Sequence, residues 1–277
     1  MSTADTVSKL FDLTGMTALV TGGGDGIGRG CCEILAAAGA NVVVANRTYA
    51  KAESVADAIN AGGGHALPVG CDVTDTSACD AAVKAAIDSY GALNILVNNA
   101  GHGGGGTESP FNIDLDYVER IYRVNVFAPW YLTKIAAPLM QTAGYGSVIN
   151  ITSMSSVNNS PGMSIYGSSK AALNHLAENL AYDLGPMGIR INNVGPGATR
   201  TRALSTVMTP ALEHRMLAHT PIKRLGEVSD ITAAVLYFAS RPRSGSAVRP
   251  SWSTAVAYRR STDTFSTRKS GFSALFR

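Results

Sequence analysis

The sequence lacks any long apolar run. No stretch of eighteen residues in this 277-residue chain is wholly apolar, and the amino terminus, M-S-T-A-D-T-V-S-K, has no apolar signal segment. A helix that crosses a bilayer needs about 20 consecutive apolar residues, and a secretory signal needs an apolar centre. We therefore expect no membrane segment and a cytoplasmic protein.

Cysteine and histidine are scarce, with four and five residues respectively. The cysteines form no C-x-x-C pair, and the histidines show no H-E-x-x-H spacing or comparable ligand pattern. Cys31 and Cys32 lie within an apolar helical pattern. We expect all four thiols to be small buried groups in a reducing compartment, and the sequence assigns no metal site.

Short apolar runs alternate with helical patterns along the chain. The runs lie near residues 16–21, 41–46, 66–71, 93–98, 147–152 and 189–194. Such alternation predicts right-handed βαβ units, a parallel sheet with helices on both faces, and the strand order 3-2-1-4-5-6. With 45% hydrophobic residues, a single α/β domain over residues 1–240 can fill its core.

A glycine-rich turn follows the first predicted strand. The segment T-G-G-G-D-G-I-G lies between M-T-A-L-V-T and an apolar-periodic helix. Gly22, Gly26 and Gly28 permit a tight turn and close approach to a pyrophosphate, and the helix N-terminus attracts negative charge. A glycine-rich turn in isolation is commonly only a loop, but the strand before it and the helix after it favour dinucleotide binding.

Tyr166 and Lys170 lie four residues apart in S-I-Y-G-S-S-K, thirteen and seventeen residues after Ser153. On one helix these positions face the same way, so an ammonium can lie beside the phenol and lower its pKa from about 10. Ser153 could then bind a substrate oxygen. Taken alone, Tyr-x-x-x-Lys is also typical of a surface pair, so the pattern needs the other motifs.

Together these residues resemble the short-chain dehydrogenase/reductase family. The resemblance covers about residues 12–240, and its motifs are Thr21 to Gly28, Asp72-Val73, N-N-A-G at Asn98 to Gly101, Asn125, Ser153, Y-x-x-x-K and Pro196-Gly197. It implies a doubly wound Rossmann-like domain that interconverts a secondary hydroxyl and a ketone with a nicotinamide cofactor. It also implies a homotetramer.

The resemblance further implies a role for each matched residue. Tyr166 would be the general acid/base, Lys170 would lower its pKa and bind the nicotinamide ribose, Ser153 would orient the reacting oxygen, and Asn125 would support a water. Thr201 would hold the carboxamide and Asp72 would contact the adenine. The implied cofactor-binding set is Gly22, Asp25, Gly26, Ile27, Gly28, Asn46, Arg47, Asp72, Val73, Asn98, Ala100, Gly101, Tyr166, Lys170, Pro196, Gly197, Thr199 and Thr201.

Several of these positions have plainer interpretations. An amide inside a helix competes with backbone hydrogen bonds, so a polar role for Asn125 is favoured over an ordinary interior residue. From its spacing alone, Asp72 fits a helix cap or turn residue equally well. Pro196-Gly197 could be only a loop.

The cofactor type is indicated at the end of the second strand, V-V-V-A-N-R. An acidic residue there would bond both ribose hydroxyls and repel a 2′-phosphate, but Asn46 is neutral and Arg47 is cationic. NADP(H) is therefore favoured, with NAD(H) possible because Asp25 would repel the phosphate. A solvated surface cation is the alternative for Arg47.

Within the family, the chain is most similar to bacterial 7-alpha-hydroxysteroid dehydrogenases. The segments that carry this are G-H-G-G-G-G after N-N-A, T-S-M-S-S-V-N-N-S, and M-T-P-A-L-E-H-R-M-L-A-H-T-P-I-K-R-L-G. The similarity implies a bile acid or steroid as the small-molecule substrate. Leu204, Val207, Met208 and Leu212 could form an apolar lid over it, or the core face of a short amphipathic helix. A reductase of 3-oxoacyl thioesters or other carbonyls is the alternative within the family.

The carboxyl-terminal segment departs from the family. Residues 241–277 carry eight Lys/Arg and one acid, a charge of +7, whereas residues 1–240 carry −4. Family members continue instead with a segment like S-G-Q-x-L-x-V-D-G-G, which forms a seventh strand and a subunit contact. A basic arm for nucleic acid or an anionic membrane is one interpretation. We prefer a different interpretation, and we expect neither nucleic acid nor a membrane as a partner.

The preferred interpretation is a shifted reading frame. With a suitable choice of synonymous codons for residues 241–258, a start two bases later encodes P-A-E-R-V-S-G-Q-T-V-L-V-D-G-G-G-V, which resembles the missing ending. The seventh strand is then in doubt, and the tetramer would be weakened or altered. A rival hypothesis from another class is a catalytically silent, cofactor-binding protein.

Overall fold

The structure is a computed structural model that describes residues 8–241 except 104–108, 110, 160, 207, 219 and 221. Six parallel strands form its sheet over the described residues: β1 (Thr17–Thr21), β2 (Asn41–Asn46), β3 (His65–Gly70), β4 (Ile95–Asn98), β5 (Gly146–Ile151) and β6 (Ile189–Val194). Their spatial order is 3-2-1-4-5-6, as predicted. The switch in strand order between β1 and β4 opens a crevice at their carboxyl ends, where such folds bind ligands.

Nine α-helices accompany these strands in the described part of the chain. They are α1 (Gly26–Ala37), α2 (Tyr49–Ala61), α3 (Thr76–Tyr90), α4 (Leu115–Tyr122), α5 (Ala128–Thr142), α6 (Ser164–Leu184), α7 (Arg202–Ser205), α8 (Pro210–Leu217) and α9 (Val228–Ala239). A π-helical turn, Arg123–Phe127, joins α4 to α5.

Local sequence signals define several helix ends. Asp75 caps α3 by accepting a hydrogen bond from the Ser77 amide, and Gly91 ends it in the left-handed conformation at φ +76°. Only a glycine adopts that backbone conformation without strain. Asp75 and Gly91 are therefore local sequence signals for the two ends of α3.

Alternating strand residues divide the core into two layers. Val20, Val42 and Val44 pack against α1, α2 and α9 on one face, whereas Leu19 and Val43 pack against α3 and α5 on the other. Strands that are covered on both faces are apolar on both, which accounts for their continuous hydrophobic runs. The three-layer arrangement predicted from the sequence is confirmed.

Four strands differ by one or two residues from the predicted bounds: β1 begins one residue late, and β5 begins and ends one residue early. β3 begins at His65, one residue early, and β4 begins at Ile95, two residues late. Asn94 is buried but does not continue the strand: its side-chain oxygen accepts a hydrogen bond from the Thr17 amide. The predicted tail, residues 241–277, lies outside the described residues apart from Arg241.

A row of buried asparagines joins three neighbouring strands at their carboxyl ends. Asn98, Asn150 and Asn193 are adjacent in the β4–β5–β6 register. Asn98 Nδ2 donates to Asn150 Oδ1 at 2.9 Å, and Asn150 Nδ2 donates to Asn193 Oδ1 at 3.0 Å. This asparagine ladder fixes the edge of the sheet that faces the crevice.

We predict that Asn150→Ala lowers the free energy of unfolding by about 2–4 kcal/mol. The substitution removes both hydrogen bonds of the ladder and leaves the buried amides of Asn98 and Asn193 without this partner. Chemical denaturation measures the change. Asn179→Ala is the matched control, since that amide lies on the exposed surface of α6 and bonds only the preceding turn within the described contacts. Equal stability of the two variants would contradict a structural role for the ladder.

Candidate active site

The glycine-rich turn leads from β1 into α1 at the sheet crevice. Gly22 and Gly26 have φ values of +63° and +53°, which favour glycine. A Cβ atom at Gly28 would lie 2.2 Å from the Gly22 carbonyl oxygen, so no side chain fits there. Asp25 caps the helix by accepting a hydrogen bond from the Gly26 amide at 2.8 Å. The turn therefore presents backbone groups and a helix N-terminus at the crevice, as an anion site requires.

The segment after β4 is tied to this turn by Thr21 and Asn99, two motif residues to which the sequence interpretation gave no role of their own. Thr21 Oγ1 accepts hydrogen bonds from the backbone amides of Asn99 and Ala100, both at 3.1 Å. Asn99 Nδ2 in turn donates to the carbonyls of Thr21 and Gly22 at 2.9 and 3.2 Å. Asn98, which was predicted to line the crevice, is buried in the asparagine ladder. The two consecutive asparagines are the sequence signal for this arrangement, in which the Asn98 amide bonds within the sheet and the Asn99 amide bonds the glycine turn.

Ser153 and Tyr166 are brought together from different elements. Ser153 lies two residues beyond β5 and caps a 3₁₀ turn, Met154–Ser156, through its hydroxyl. Tyr166 lies in the first turn of α6, half-buried and hydrogen-bonded to Ser153. Burial raises the pKa of the Tyr166 phenol, and the hydrogen bond with Ser153 only partly opposes that rise.

Lys170 lies one turn after Tyr166 and is only 4% exposed. Its Nζ donates to the Ile151 carbonyl oxygen at 2.9 Å. Burial lowers the pKa of this ammonium to about 8. A Cβ atom at Gly101 would lie 3.5 Å from Nζ, which places the lysine beside the segment after β4.

The predicted effect of Lys170 on the tyrosine differs from the structure. We expected the ammonium to lower the Tyr166 pKa, but that pKa is raised, and its causes are burial and Ser153. The physical reason is that desolvation of the phenolate dominates while the Lys170 ammonium is held on a carbonyl at the end of β5. Spacing along a helix predicted proximity and could not predict which partner the ammonium bonds.

Asn125 lies at the centre of the π-helical turn and is fully buried. Its Oδ1 accepts from the His102 amide at 2.9 Å, and its Nδ2 donates to the His102 carbonyl at 3.1 Å and to Ser169 Oγ at 3.0 Å. In the structure this amide joins the segment after β4 to α6, and its support of a water stays a prediction. Irregular π turns are common at functional sites because they re-aim backbone and side chains.

The residues predicted to contact the adenosine half lie around the ends of β2 and β3. Asn46 Nδ2 donates to the Thr48 carbonyl at 2.9 Å, and Arg47 is exposed. Asp72 accepts hydrogen bonds from both the amide and the hydroxyl of Thr74, at 2.9 and 2.8 Å. The structure therefore shows Asp72 as a turn residue. Its contact with adenine stays a prediction, as does the place of Val73 in the cofactor-binding set.

The segment after β6 lies across the glycine turn. A Cβ atom at Gly26 would be 3.5 Å from the Thr201 side chain. Thr201 Oγ1 caps α7 by accepting from the Leu204 amide, and Thr199 Oγ1 donates to the Gly197 carbonyl. Pro196 accepts a backbone bond from Met154, which ties this segment to the Ser153 turn.

A small cavity of about 180 Å³ lies under the predicted lid. Leu204 and Met208 line it together with Arg200, Ser205 and Leu225. Leu212 lies on α8, and Val207 falls outside the described residues, as do Gly104 to Gly106 of the glycine stretch.

Two features are absent from the part of the chain that the structure describes. No cluster of three or more His, Cys, Asp or Glu side chains with metal-binding geometry lies within that part of the chain. No helix there is long and apolar enough to span a bilayer.

The crevice fits a dinucleotide. Close approach of a pyrophosphate needs a turn without side chains at the head of a helix, and Gly22, Gly26 and Gly28 provide it. The sequence profile of the family described as short chain dehydrogenase matches residues 16–210. The chain belongs to the short-chain dehydrogenase family. As a family member, it is an oxidoreductase.

Known relatives of this dehydrogenase include hydroxysteroid enzymes. It is 43% identical over 228 residues to the 7alpha-hydroxysteroid dehydrogenase of Escherichia coli K12, covering 82% of this chain and 88% of that protein. It is 36% identical over 231 residues to the 7alpha-hydroxysteroid dehydrogenase of Clostridium sardiniense, covering 82% and 87%.

The fold comparison agrees with the sequence comparison. The dehydrogenase resembles a solved 7 alpha-hydroxysteroid dehydrogenase in complex with NADH and 7-oxo glycochenodeoxycholic acid, with a TM-score of 0.80 and 42% identity. The match covers 84% of this chain and 90% of that structure.

The buried lysine of this dehydrogenase makes its stability depend on pH. The Lys170 pKa is about 8 in the folded chain and near 10.5 when unfolded, so between these pH values only the unfolded chain holds the proton. The free energy of unfolding therefore rises with pH across that window. Below pH 8, the buried charge on Lys170 lowers the free energy of unfolding by about 3 kcal/mol.

We predict that Lys170→Met removes this dependence. The difference in the free energy of unfolding between the variant and wild type should favour the variant by about 3 kcal/mol more at pH 7 than at pH 10.5. Loss of the bond to Ile151 lowers the stability of the variant equally at both pH values, so it does not affect this comparison. Denaturant unfolding at several pH values measures the difference. Lys84→Met, at an exposed lysine, is the control and should parallel wild type. A Lys170→Met profile that also runs parallel would contradict the assignment.

Proposed function

We propose that this dehydrogenase interconverts a secondary hydroxyl and a ketone at the 7-alpha position of a bile acid or related steroid. The observation that carries the proposal is the pairing of Ser153 with Tyr166 at the sheet crevice, with Lys170 buried one turn away. The likeness to 7alpha-hydroxysteroid dehydrogenases over more than four fifths of the chain supports the choice of substrate.

Each of these residues has a defined task in the proposed reaction. The Ser153 hydroxyl bonds the substrate oxygen and holds it against the Tyr166 hydroxyl. Tyr166 gives its proton to that oxygen when a ketone is reduced and, as the phenolate, takes the proton from it when an alcohol is oxidised. Because burial raises its pKa, Tyr166 is protonated at neutral pH in this structure, which is the state that a proton donor requires.

The nicotinamide cofactor supplies or accepts the hydride. The glycine turn and the α1 N-terminus would hold its pyrophosphate, and Lys170 would bond its ribose. Asn125 positions the surrounding backbone, because its amide spans from His102 to Ser169. We propose NADP(H) as the favoured cofactor and NAD(H) as possible, since Asn46 is neutral and Arg47 is exposed at the end of β2.

The region beyond the crevice supports an apolar substrate. Leu204, Met208 and Leu225 line the small cavity at the segment after β6, together with Arg200 and Ser205. A steroid is a large, rigid and mostly apolar ligand, which such side chains can cover. The same segment contacts the glycine turn through Thr201, so a lid here would close over cofactor and substrate together.

We also propose that the protein is cytoplasmic and assembles as a homotetramer. Phe127 and Trp130 lie one turn apart and are both substantially exposed, at 55% and 44%. Exposed aromatic residues are enriched at subunit interfaces. The tail at residues 241–277 would weaken or alter this assembly if it replaces the ending typical of the family.

We predict that Tyr166→Phe reduces turnover by at least about a hundredfold while cofactor binding persists, because the proton donor is lost and the ring is kept. Absorbance of the reduced nicotinamide at a fixed pH measures turnover with 7-alpha-, 7-beta-, 3-alpha- and 12-alpha-hydroxy bile acids and both cofactors. Tyr182→Phe is the matched control, since that tyrosine lies on the same helix but is 81% exposed.

The scan distinguishes the alternatives. Turnover confined to the 7-alpha substrates supports the proposal, whereas turnover only of 3-oxoacyl thioesters or other carbonyls would show a different reductase. Cofactor binding without oxidation of any secondary alcohol would indicate a catalytically silent protein. Full activity in Tyr166→Phe would remove the tyrosine from the mechanism.

A frame shift near codon 240 remains our proposal for the origin of the tail. We predict that the source DNA, read two bases after the start of codon 241, encodes P-A-E-R-V-S-G-Q-T-V-L-V-D-G-G-G-V. A chain with that ending should elute at about four times the mass of one chain in size-exclusion chromatography with light scattering. Codons that do not give this string would refute the frame shift.

A further inference from the structure

An ion pair lies at the adenosine end of the proposed cofactor crevice. Lys51, in the first turn of α2, places its Nζ 3.3 Å from Asp25 Oδ2 in the glycine turn. The two side chains are 50% and 42% exposed, so both can reach a ligand in the crevice. Lys51 lies outside the short-chain dehydrogenase motifs of this sequence.

The position of this pair relative to the ribose follows from Gly24. A Cβ atom there would lie 2.7 Å from Lys51 Cβ and 2.9 Å from Asn46 Cγ. Asn46 ends β2, the point from which dinucleotide folds contact the adenosine ribose hydroxyls. The stem of Lys51 and the amide of Asn46 therefore meet over Gly24, and the ammonium is directed to the neighbouring Asp25.

The Asp25 carboxylate is held in a charged state. Burial raises its pKa, but the hydrogen bond from Lys51, the bond from the Gly26 amide and the Lys51 and Arg202 charges lower it further, so that the net shift is downward. The Gly26 bond also fixes the carboxylate at the head of α1. A 2′-phosphate in this region would meet a permanent negative charge unless a cation offsets it.

We infer that the Lys51–Asp25 ion pair sets the preference of this dehydrogenase between NADP(H) and NAD(H), with Lys51 as a specificity-determining residue. The inference rests on the proposed nicotinamide-dependent function. Lys51 both neutralises the fixed carboxylate and has rotatable N–H groups that a phosphate can share. NAD(H) has a hydroxyl in place of the phosphate, so the pair affects it little.

Arg47 is the competing explanation for phosphate recognition. It follows Asn46 directly and is exposed, but it is not the residue that faces Asp25 in the structure. If Arg47 alone determined the preference, removal of the Lys51 charge would leave the ratio of the two cofactor affinities unchanged.

The test is a double-mutant cycle with Lys51→Gln, Asp25→Asn and the double variant. Dissociation constants are measured by calorimetry for NADPH and NADH, and also for adenosine 2′,5′-bisphosphate and AMP, which report the phosphate site without any reaction. Lys51→Gln should weaken the binding of NADPH and of the bisphosphate by about tenfold. It should weaken the binding of NADH and of AMP by less than about twofold.

The double variant separates neutralisation from simple loss of a cation. Asp25→Asn in the Lys51→Gln background should restore most of the NADPH affinity, because the charge that Lys51 offsets is then absent. Lys84→Gln is the matched control: it breaks a similar exposed lysine–aspartate pair, with Asp88 on α3, and should leave all four affinities unchanged.

Two outcomes would overturn the inference. Equal loss of NADPH and NADH affinity in Lys51→Gln, or no loss of either, would show that the ion pair does not discriminate between them, while the proposed enzyme function would stand. Failure of the wild-type protein to bind any of the four ligands would overturn the proposed function and this inference with it.

Discussion

The geometry of the candidate active site depends on one constraint: buried polar groups must form hydrogen bonds with other groups inside the protein. At the carboxyl ends of β4, β5 and β6, the asparagine ladder satisfies amides that would otherwise lose hydration without compensation. The same constraint joins Thr21 to Asn99 and Asn125 to His102. These bonds place the glycine turn, the segment after β4 and α6 in fixed relative positions, and α6 carries Tyr166 and Lys170.

Lys170 illustrates the conflict between stability and function. Burial makes its ammonium unfavourable, and its pKa falls to about 8. The Ile151 carbonyl only partly compensates, because a neutral acceptor stabilises a cation less than water and counter-charges do. A methionine of similar length would fill the space without that penalty. A titratable lysine beside the crevice is more easily understood as a functional group than as a structural one.

The glycine turn brings charge into the same crevice by a steric route. Gly28 admits the Gly22 carbonyl, and Gly24 admits both Asn46 and the stem of Lys51. Because no side chains stand between them, Asp25, Lys51 and the end of β2 lie within a few ångströms of one another. The turn therefore does more than approach a pyrophosphate: it sets which charges lie near the ribose.

Much of this protein was predictable because its signals are local or periodic. The continuous apolar strands, the Asp75 cap and Gly91 end of α3, and the glycine turn depend on neighbouring residues, and together they determined the strand order and the dinucleotide crevice. The family motifs identified Ser153, Tyr166, Lys170 and Asn125 as candidates. A periodic pattern shows which face of an element a residue occupies, and so it placed Lys170 near Tyr166.

Only the tertiary structure decided how those residues interact. Asp72 bonds Thr74, and Lys170 bonds the carbonyl at the end of β5. Spacing along the helix suggested that the Tyr166 pKa would be lowered, but burial raises it. Lys51 meets Asp25 across 26 positions of sequence, and Asn99 rather than Asn98 holds the glycine turn. Desolvation and hydrogen-bond partners depend on what packs around a group in three dimensions. The sequence by itself therefore determined the fold and the chemical groups of the site, and packing decided their charge states and contacts.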